Sequence, residues 1–156
     1  MDLQDYEKFK EYFLKFVDNK VNRFHPLVWI HGEPKIGKNV YIGGFSEINA
    51  KGSKVEIGND CDIASFVSIN VADSHKKCIG LSEQIERSPI IIGDNVFIGS
   101  HSFLGGGTKI GHHSVIGAGV VLKKIEIPPY SLVIGNPLTI KDGYYKDKLQ
   151  NKNIIK

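Results

Sequence analysis

The chain has 156 residues, 41% of them hydrophobic and 24% charged, with a formal net charge of +3. That length and composition fit one domain with a real core and exclude a largely disordered chain. Only two arginines, Arg23 and Arg87, are present, which argues against a nucleic-acid surface. Much of the positive charge falls late, at Lys123, Lys124, Lys141, Lys146, Lys148, Lys152 and Lys156, as a solvated surface or a site for a phosphate-bearing ligand. Cys61 and Cys78 are too few and too casually spaced for a disulfide framework or a zinc knuckle. The N-terminus shows no basic-then-apolar leader, and no apolar run approaches the ~18 residues of a membrane span. The expectation is a cytoplasmic protein with reduced thiols and no membrane span.

The first element is a helix over residues 2–20, with Leu3, Tyr6, Phe9, Phe13, Phe16 and Val17 at helical spacing among Lys and Glu. We expect it to cap the structure that follows, packing its aromatic stripe over an open strand edge.

From residue 30 an aliphatic recurs every sixth position. The first block is Ile30, Ile36, Ile42 and Ile48; the second is Ile57, Ile63 and Ile69. The third is Ile92, Ile98, Leu104, Ile110, Ile116 and Leu122, with Ile134 returning in phase. Nine of these fourteen are followed by glycine, about half of the 17 glycines in the chain. A period of six fits neither a helix nor an isolated strand. Four residues after each aliphatic stands a small or β-branched residue, among them Val40, Ser46, Cys61, Val67, Val96, Ser102, Thr108, Ser114 and Val120. Even spacing puts both on one face of an extended segment. The pattern therefore describes short strands joined by corners, three to a coil of eighteen residues. Coils stack because none alone can bury its aliphatic face.

The phase breaks twice. Ile48 to Ile57 carries three extra residues near Lys51-Gly52-Ser53. Ile69 to Ile92 is not a multiple of six, so residues 74–90 are expected to leave the coil as a loop. Pro128-Pro129 ends the regular repeat, and a polar, lysine-rich tail follows. The expected organisation is a capping helix and linker (1–25), the repeat domain (26–140) and a C-terminal tail (141–156).

The stretches Ile92-Gly-Asp-Asn-Val-Phe-Ile-Gly, Ile116-Gly-Ala-Gly-Val-Val and Ile127-Pro-Pro-Tyr-Ser-Leu-Val-Ile-Gly-Asn-Pro137 closely resemble the hexapeptide-repeat acyltransferases. The similarity is to the galactoside, maltose and xenobiotic acetyltransferases and the small polysaccharide O-acetyltransferases. The resemblance implies an all-β fold, a left-handed parallel β-helix, although parallel crossovers are otherwise almost always right-handed. It also implies acetyl-CoA as co-substrate, no metal, a homotrimer, and a sugar-like acceptor in polysaccharide biosynthesis.

In that family a loop histidine is the general base, and the matching residue is His75, at the exit from the coil. Histidine suits the task because its ordinary pKa lies near 6.5. Asp73 is an odd occupant of its hexad, where an unpaired carboxylate is costly. In an extended segment it shares a face with His75, so it either orients the imidazole or caps the turn. A backbone N–H at Gly99 or Ser100 is the expected oxyanion donor. The family pattern runs pantetheine past Gly117 and Ala118, with the nucleotide near Lys123, Lys124 and Pro137. Three departures stand out: Phe97 replaces a common Trp, the segment Lys123-Lys124-Ile125-Glu126 is one residue longer than the common version before the Pro-Pro pair, and Thr139 replaces a Lys or Arg, for which Lys141 substitutes.

His25 and His31 read as structural, His112 and His113 as a solvated corner, and His101 as a residue beside the cofactor groove. A zinc γ-class carbonic anhydrase is the alternative enzyme, but His75 and His101 alone cannot make a three-ligand catalytic site. A non-catalytic β-helix scaffold is the alternative of a different class.

Overall fold

A repeat with one inward aliphatic per corner-to-corner segment leaves room only for strands of two or three residues, and such strands are what the chain forms. The protein is described from a computed structural model covering residues 2–16 and 22–151. Helix α1 spans Leu3–Phe16. Coil one is β1 (Trp29–His31), β2 (Lys35–Ile36) and β3 (Tyr41–Ile42). Coil two is β4 (Glu47–Asn49), β5 (Val55–Ile57) and β6 (Asp62–Ile63). Coil three begins with β7 (Ser68–Asn70), is interrupted by β8 (Ala72–Asp73), α2 (His75–Cys78) and β9 (Glu86–Arg87), and resumes with β10 (Ile90–Ile92) and β11 (Phe97–Ile98). Coil four is β12 (Phe103–Gly105), β13 (Lys109–Ile110) and β14 (Val115–Ile116). Coil five is β15 (Val121–Leu122), β16 (Glu126–Ile127) and β17 (Leu132–Ile134). Then β18 (Thr139–Lys141) turns back and α3 (Lys146–Asn151) follows.

Equivalent strands of successive coils pair in parallel into three sheets. Face A is β1-β4-β7-β12-β15, face B is β2-β5-β10-β13-β16, and face C is β3-β6-β11-β14-β17 with β18 antiparallel at its end. The register stacks aliphatic on aliphatic: Ile30, Ile48, Ile69, Leu104 and Leu122 line up down face A. Ile48, Ile63, Ile69, Ile98, Leu104, Ile116 and Leu122 are fully buried. The small residues four places on fill the corners. Buried Ser46, Ser102 and Ser114 satisfy their hydroxyls by bridging coils, as when Ser102 Oγ donates to Gly117 O at 3.0 Å.

The glycines after the aliphatics serve close approach rather than left-handed turns. A Cβ on Gly99 would stand 2.5 Å from Ala118 N of the next coil. The left-handed backbone falls three residues after the aliphatic on Asn39, Phe45, Asp60, Phe66, Asn95, His101, His113 and Tyr130, and two residues after Leu122 on Lys124, as well as on glycines. Asn, Asp and His tolerate that region better than most side chains, whereas Phe there is uncommon.

Three expectations need correction. The aromatic stripe of α1 is not its packed face: Phe9 and Phe16 are exposed, while Lys10 and Leu14 are buried. Amphipathic spacing alone ranked the apolar stripe above the face that Lys10 and Leu14 share. Val17 lies outside the described residues, as do Lys152 and Lys156. Second, Pro128-Pro129 does not end the repeat, because β17 completes coil five beyond it. Third, Ile134 is not the inward residue of that strand. Val133 pairs with Ile116 and is fully buried, leaving Ile134 37% exposed. The cause is upstream: Ile110 pairs with Ile127, so one residue is missing from this coil and the phase shifts.

Candidate active site

The three corners of the coil hold different chemistry. At the corner joining face A to face B, the chain leaves coil three after buried Val71. Strands β8 and β9 form an antiparallel hairpin base, with Ala72 opposite Arg87 and Asp73 opposite Glu86. Helix α2 sits at the start of the excursion and carries His75 as its first residue. The excursion is tied down on both sides: Ser88 N–H donates to Val71 O at 3.1 Å, and Arg87 donates to Lys51 O at 3.1 Å.

Asp73 and His75 are in direct contact. Asp73 Oδ1 meets His75 Nδ1 and also accepts the His75 backbone N–H at 3.4 Å. An ionised carboxylate only accepts, so the imidazole proton is placed on Nδ1 and Nε2 is left as the basic nitrogen. The hydrogen bond from His75, followed by that from Lys123, holds the Asp73 carboxyl well below the usual carboxylate range. Asp73 is the more sheltered partner, its side chain 19% exposed against 57% for His75.

The second oxygen, Asp73 Oδ2, is taken by the Lys123 ammonium from coil five. Lys124 reaches Glu86 Oε2 at 3.5 Å, and Lys76 holds Glu86 Oε1 at 2.5 Å. Glu86 is thereby held below the ordinary carboxylate range, chiefly by Lys76. Sequence reasoning did not single out Glu86. Its role becomes visible once the hairpin register sets it opposite Asp73.

The corner joining face C to face A is built of small residues. Gly99 and Ser100 of coil three lie beneath Gly117, Ala118 and Gly119 of coil four. Gly99 N–H is already engaged with Ile116 O at 2.8 Å, and Gly117 N–H with Val133 O at 2.8 Å. Among the described residues the N–H groups of Ser100 and Ala118 have no hydrogen-bond partner, so Ser100 rather than Gly99 has a donor to offer. Nothing lies within 4 Å of a Cβ built on Gly119. Pro137 sits in the turn of residues 135–138, on the same corner one coil further.

This corner also carries a column that sequence reasoning missed. The Phe45 and Phe66 rings stack at 5.0 Å between centroids, and Phe66 stacks on His101 at 4.9 Å. The available signal was positional: each stands three residues after an inward Ile, where Gly119 follows Ile116.

The remaining histidines are placed apart from the dyad. His25 Nδ1 accepts the Leu27 N–H at 3.1 Å, and His31 faces Glu47 at 3.4 Å. His112 and His113 pack with Tyr130 at the corner joining face B to face C. Among the described residues no group of three or more His, Cys, Asp or Glu side chains is arranged to hold a metal ion. No described helix is long and apolar enough to cross a membrane. Lys141 ends β18 opposite Leu132, with its ammonium over the Tyr144 ring.

Comparison with known proteins places the repeats. Residues 89–124 match the bacterial transferase hexapeptide (six repeats) model, and residues 35–70 match the hexapeptide repeat of succinyl-transferase. A bifunctional protein GlmU of Clostridium botulinum is 32% identical over 139 residues, covering 84% of this chain and 28% of its own length. The chain thus spans little more than a quarter of the curated relatives it matches. A galactoside acetyltransferase solved in complex with coenzyme A superposes with a TM-score of 0.71 at 29% identity, covering 95% of this chain and 76% of its own. The polysialic-acid-specific acetyltransferase NeuO superposes with a TM-score of 0.61 at 28% identity, covering 74% of this chain and 61% of its own.

Proposed function

We propose that this chain, a hexapeptide-repeat β-helix, is an acetyl-CoA-dependent acyltransferase that acetylates a hydroxyl or amine of a sugar or sugar-nucleotide. The observation that carries the reading is the Asp73–His75 dyad at the root of the excursion, with Nε2 turned away from its carboxylate. Two similar structures, a galactoside and a polysialic acid acetyltransferase, support the acceptor class, and the first supports the coenzyme.

In the proposed reaction His75 Nε2 takes the proton of the acceptor hydroxyl or amine as that atom attacks the thioester carbonyl. The Asp73 carboxylate steadies the imidazolium that forms. A backbone N–H at Ser100 stabilises the oxyanion. Collapse of the tetrahedral intermediate breaks the C–S bond, and the departing thiolate takes the proton back from His75. The small-residue corner at Gly99, Ser100, Gly117 and Ala118, with Pro137 beyond, suits a thin pantetheine chain, because Gly119 leaves open space there.

The two halves stand at opposite ends of face A within one chain. Ser102 and Gly105 bracket that face, and three residues of strand span roughly 10 Å. A homotrimer brings them together if the dyad corner of one copy faces the small-residue corner of the next, closing all three sites by one symmetry operation. Light scattering on a sizing column is expected to give a trimer; an active monomer overturns that part.

The function itself is tested by following thiol release from acetyl-CoA with galactosides and sialic acid oligomers as acceptors. His75→Ala is expected to lower kcat by ~10²–10⁴, the usual contribution of a positioned base, while acetyl-CoA still binds by calorimetry. Near-normal kcat in His75→Ala rejects His75 as the base. Absence of acetyl-CoA binding by the wild type rejects the activity.

A further inference from the structure

Asp73 and Glu86 face each other directly across the two-stranded base of the excursion. Like charges in that position repel, and the hairpin has only two residues a side to resist them. The chain answers with two consecutive lysines from coil five. Lys123 sits on Asp73 and Lys124 on Glu86, although the residues are 50 positions apart in the first pair. We propose that Lys123 and Lys124 form a clamp that neutralises and holds the excursion, and that Lys123 is the positioning residue of the Asp73–His75 dyad rather than a ligand of the coenzyme phosphates. The dyad's catalytic role rests on the function proposed above; the clamp does not.

The physical argument follows the two carboxylate oxygens. Oδ1 holds His75 Nδ1 and Oδ2 holds Lys123 Nζ. With both oxygens engaged the carboxylate cannot rotate, and its hydrogen bond fixes one tautomer of His75. Without Lys123, Oδ2 has no cation, the side chain turns toward solvent part of the time, and the ring is released to exchange between tautomers. Lys124 cannot replace it, because its ammonium faces Glu86. Lys76 cannot either, being committed to Glu86 at 2.5 Å. The same pairing removes both lysines from the free cations available to an anionic ligand.

The test needs no acceptor. Proton–nitrogen correlation spectra of the His75 ring are recorded at about pH 8.5, above the ordinary titration range of histidine, for wild type, Lys123→Met and Lys123→Arg in the full chain. Wild type and Lys123→Arg are expected to show the proton on Nδ1, and Lys123→Met a mixture of tautomers. Calorimetry with acetyl-CoA and with its 3′-dephospho form is expected to give the same Kd for Lys123→Met as for wild type, within about twofold. An unchanged Nδ1 tautomer in folded Lys123→Met overturns the proposal. So does a tenfold loss of acetyl-CoA affinity that disappears with the dephospho form, since it makes Lys123 a phosphate ligand. Where turnover is measurable, kcat should fall roughly 10- to 100-fold with KM for acetyl-CoA unchanged, the scale of a base misplaced by about an ångström. If the wild type binds no acetyl-CoA, the proposed activity fails, while the tautomer spectra still decide the clamp.

Discussion

Replacing Gly106 by alanine tests whether the corner beneath the excursion positions the dyad. The new methyl carbon would stand 2.7 Å from Val71 O and 3.1 Å from Ser88 O. Carbon and oxygen in close contact prefer about 3.3 Å or more, so the two carbonyls must retreat by a few tenths of an ångström, roughly half an ångström at Val71. Gly106 has no left-handed φ, so this crowding, not backbone strain, sets the cost. Val71 and Ser88 are the two stems of the excursion and are hydrogen-bonded to each other at 3.1 Å. They shift together, and Asp73 lies two residues beyond Val71. Overpacking of this kind costs about 1–3 kcal/mol. For a chain of this size that lowers the unfolding midpoint by roughly 2–12 °C. Half the displacement that costs ~10²-fold in rate suggests about tenfold in kcat. The assay is thermal unfolding by circular dichroism at fixed protein concentration, beside thiol release from acetyl-CoA. Acetyl-CoA affinity should hold, because Val71 and Ser88 are no part of the small-residue corner proposed to bind it. A Gly106→Ala protein with wild-type midpoint and kcat would refute the reasoning, as would weakened coenzyme binding with kcat intact.

Leu104, fully buried between Ile69 and Leu122, should cost about 2–5 kcal/mol when cut to alanine, read as a lowered denaturation midpoint; a loss under ~1 kcal/mol would mean the coils close the gap. Asp73 titrates lower in the folded chain, held by His75 and Lys123, so its contribution to stability is complete above the unfolded value of about 3.9 and declines as pH falls through and below it. Asp73→Asn should therefore be less stable than wild type near neutrality, with the gap narrowing below about pH 4; a gap that does not change with pH rejects the ion pair as its source.

The period of six made the coil, its inward positions and the excursion legible, because each inward aliphatic must return to the same side of a two- or three-residue strand. The slip to Val133 was not legible. Val133 and Ile134 are both aliphatic, and the missing residue between Leu122 and Ile127 leaves no mark in composition. The helix stripe misled because spacing identifies faces but not which one meets a neighbour. The separation of His75 from Ser100 follows from the corner each occupies, which requires counting through the phase break between Ile69 and Ile92. The contact between Asp73 and Lys123 was beyond sequence reach, since it joins an excursion of unknown course to a coil two rungs away.

A stack of parallel coils has no intrinsic length, since each completed rung is a template for another, and the last rung here is built to refuse one. Beyond β16 stand Pro128 and Pro129, which lack the N–H groups an incoming strand would need. Strand β18 doubles back antiparallel over β17 and occupies the outer edge of face C, so a second molecule arriving end-on finds that edge filled by a strand of the wrong direction. Growth into a fibre is thereby opposed at two edges of this rim by two different devices, in a fold that shares its parallel, in-register stacking with amyloid.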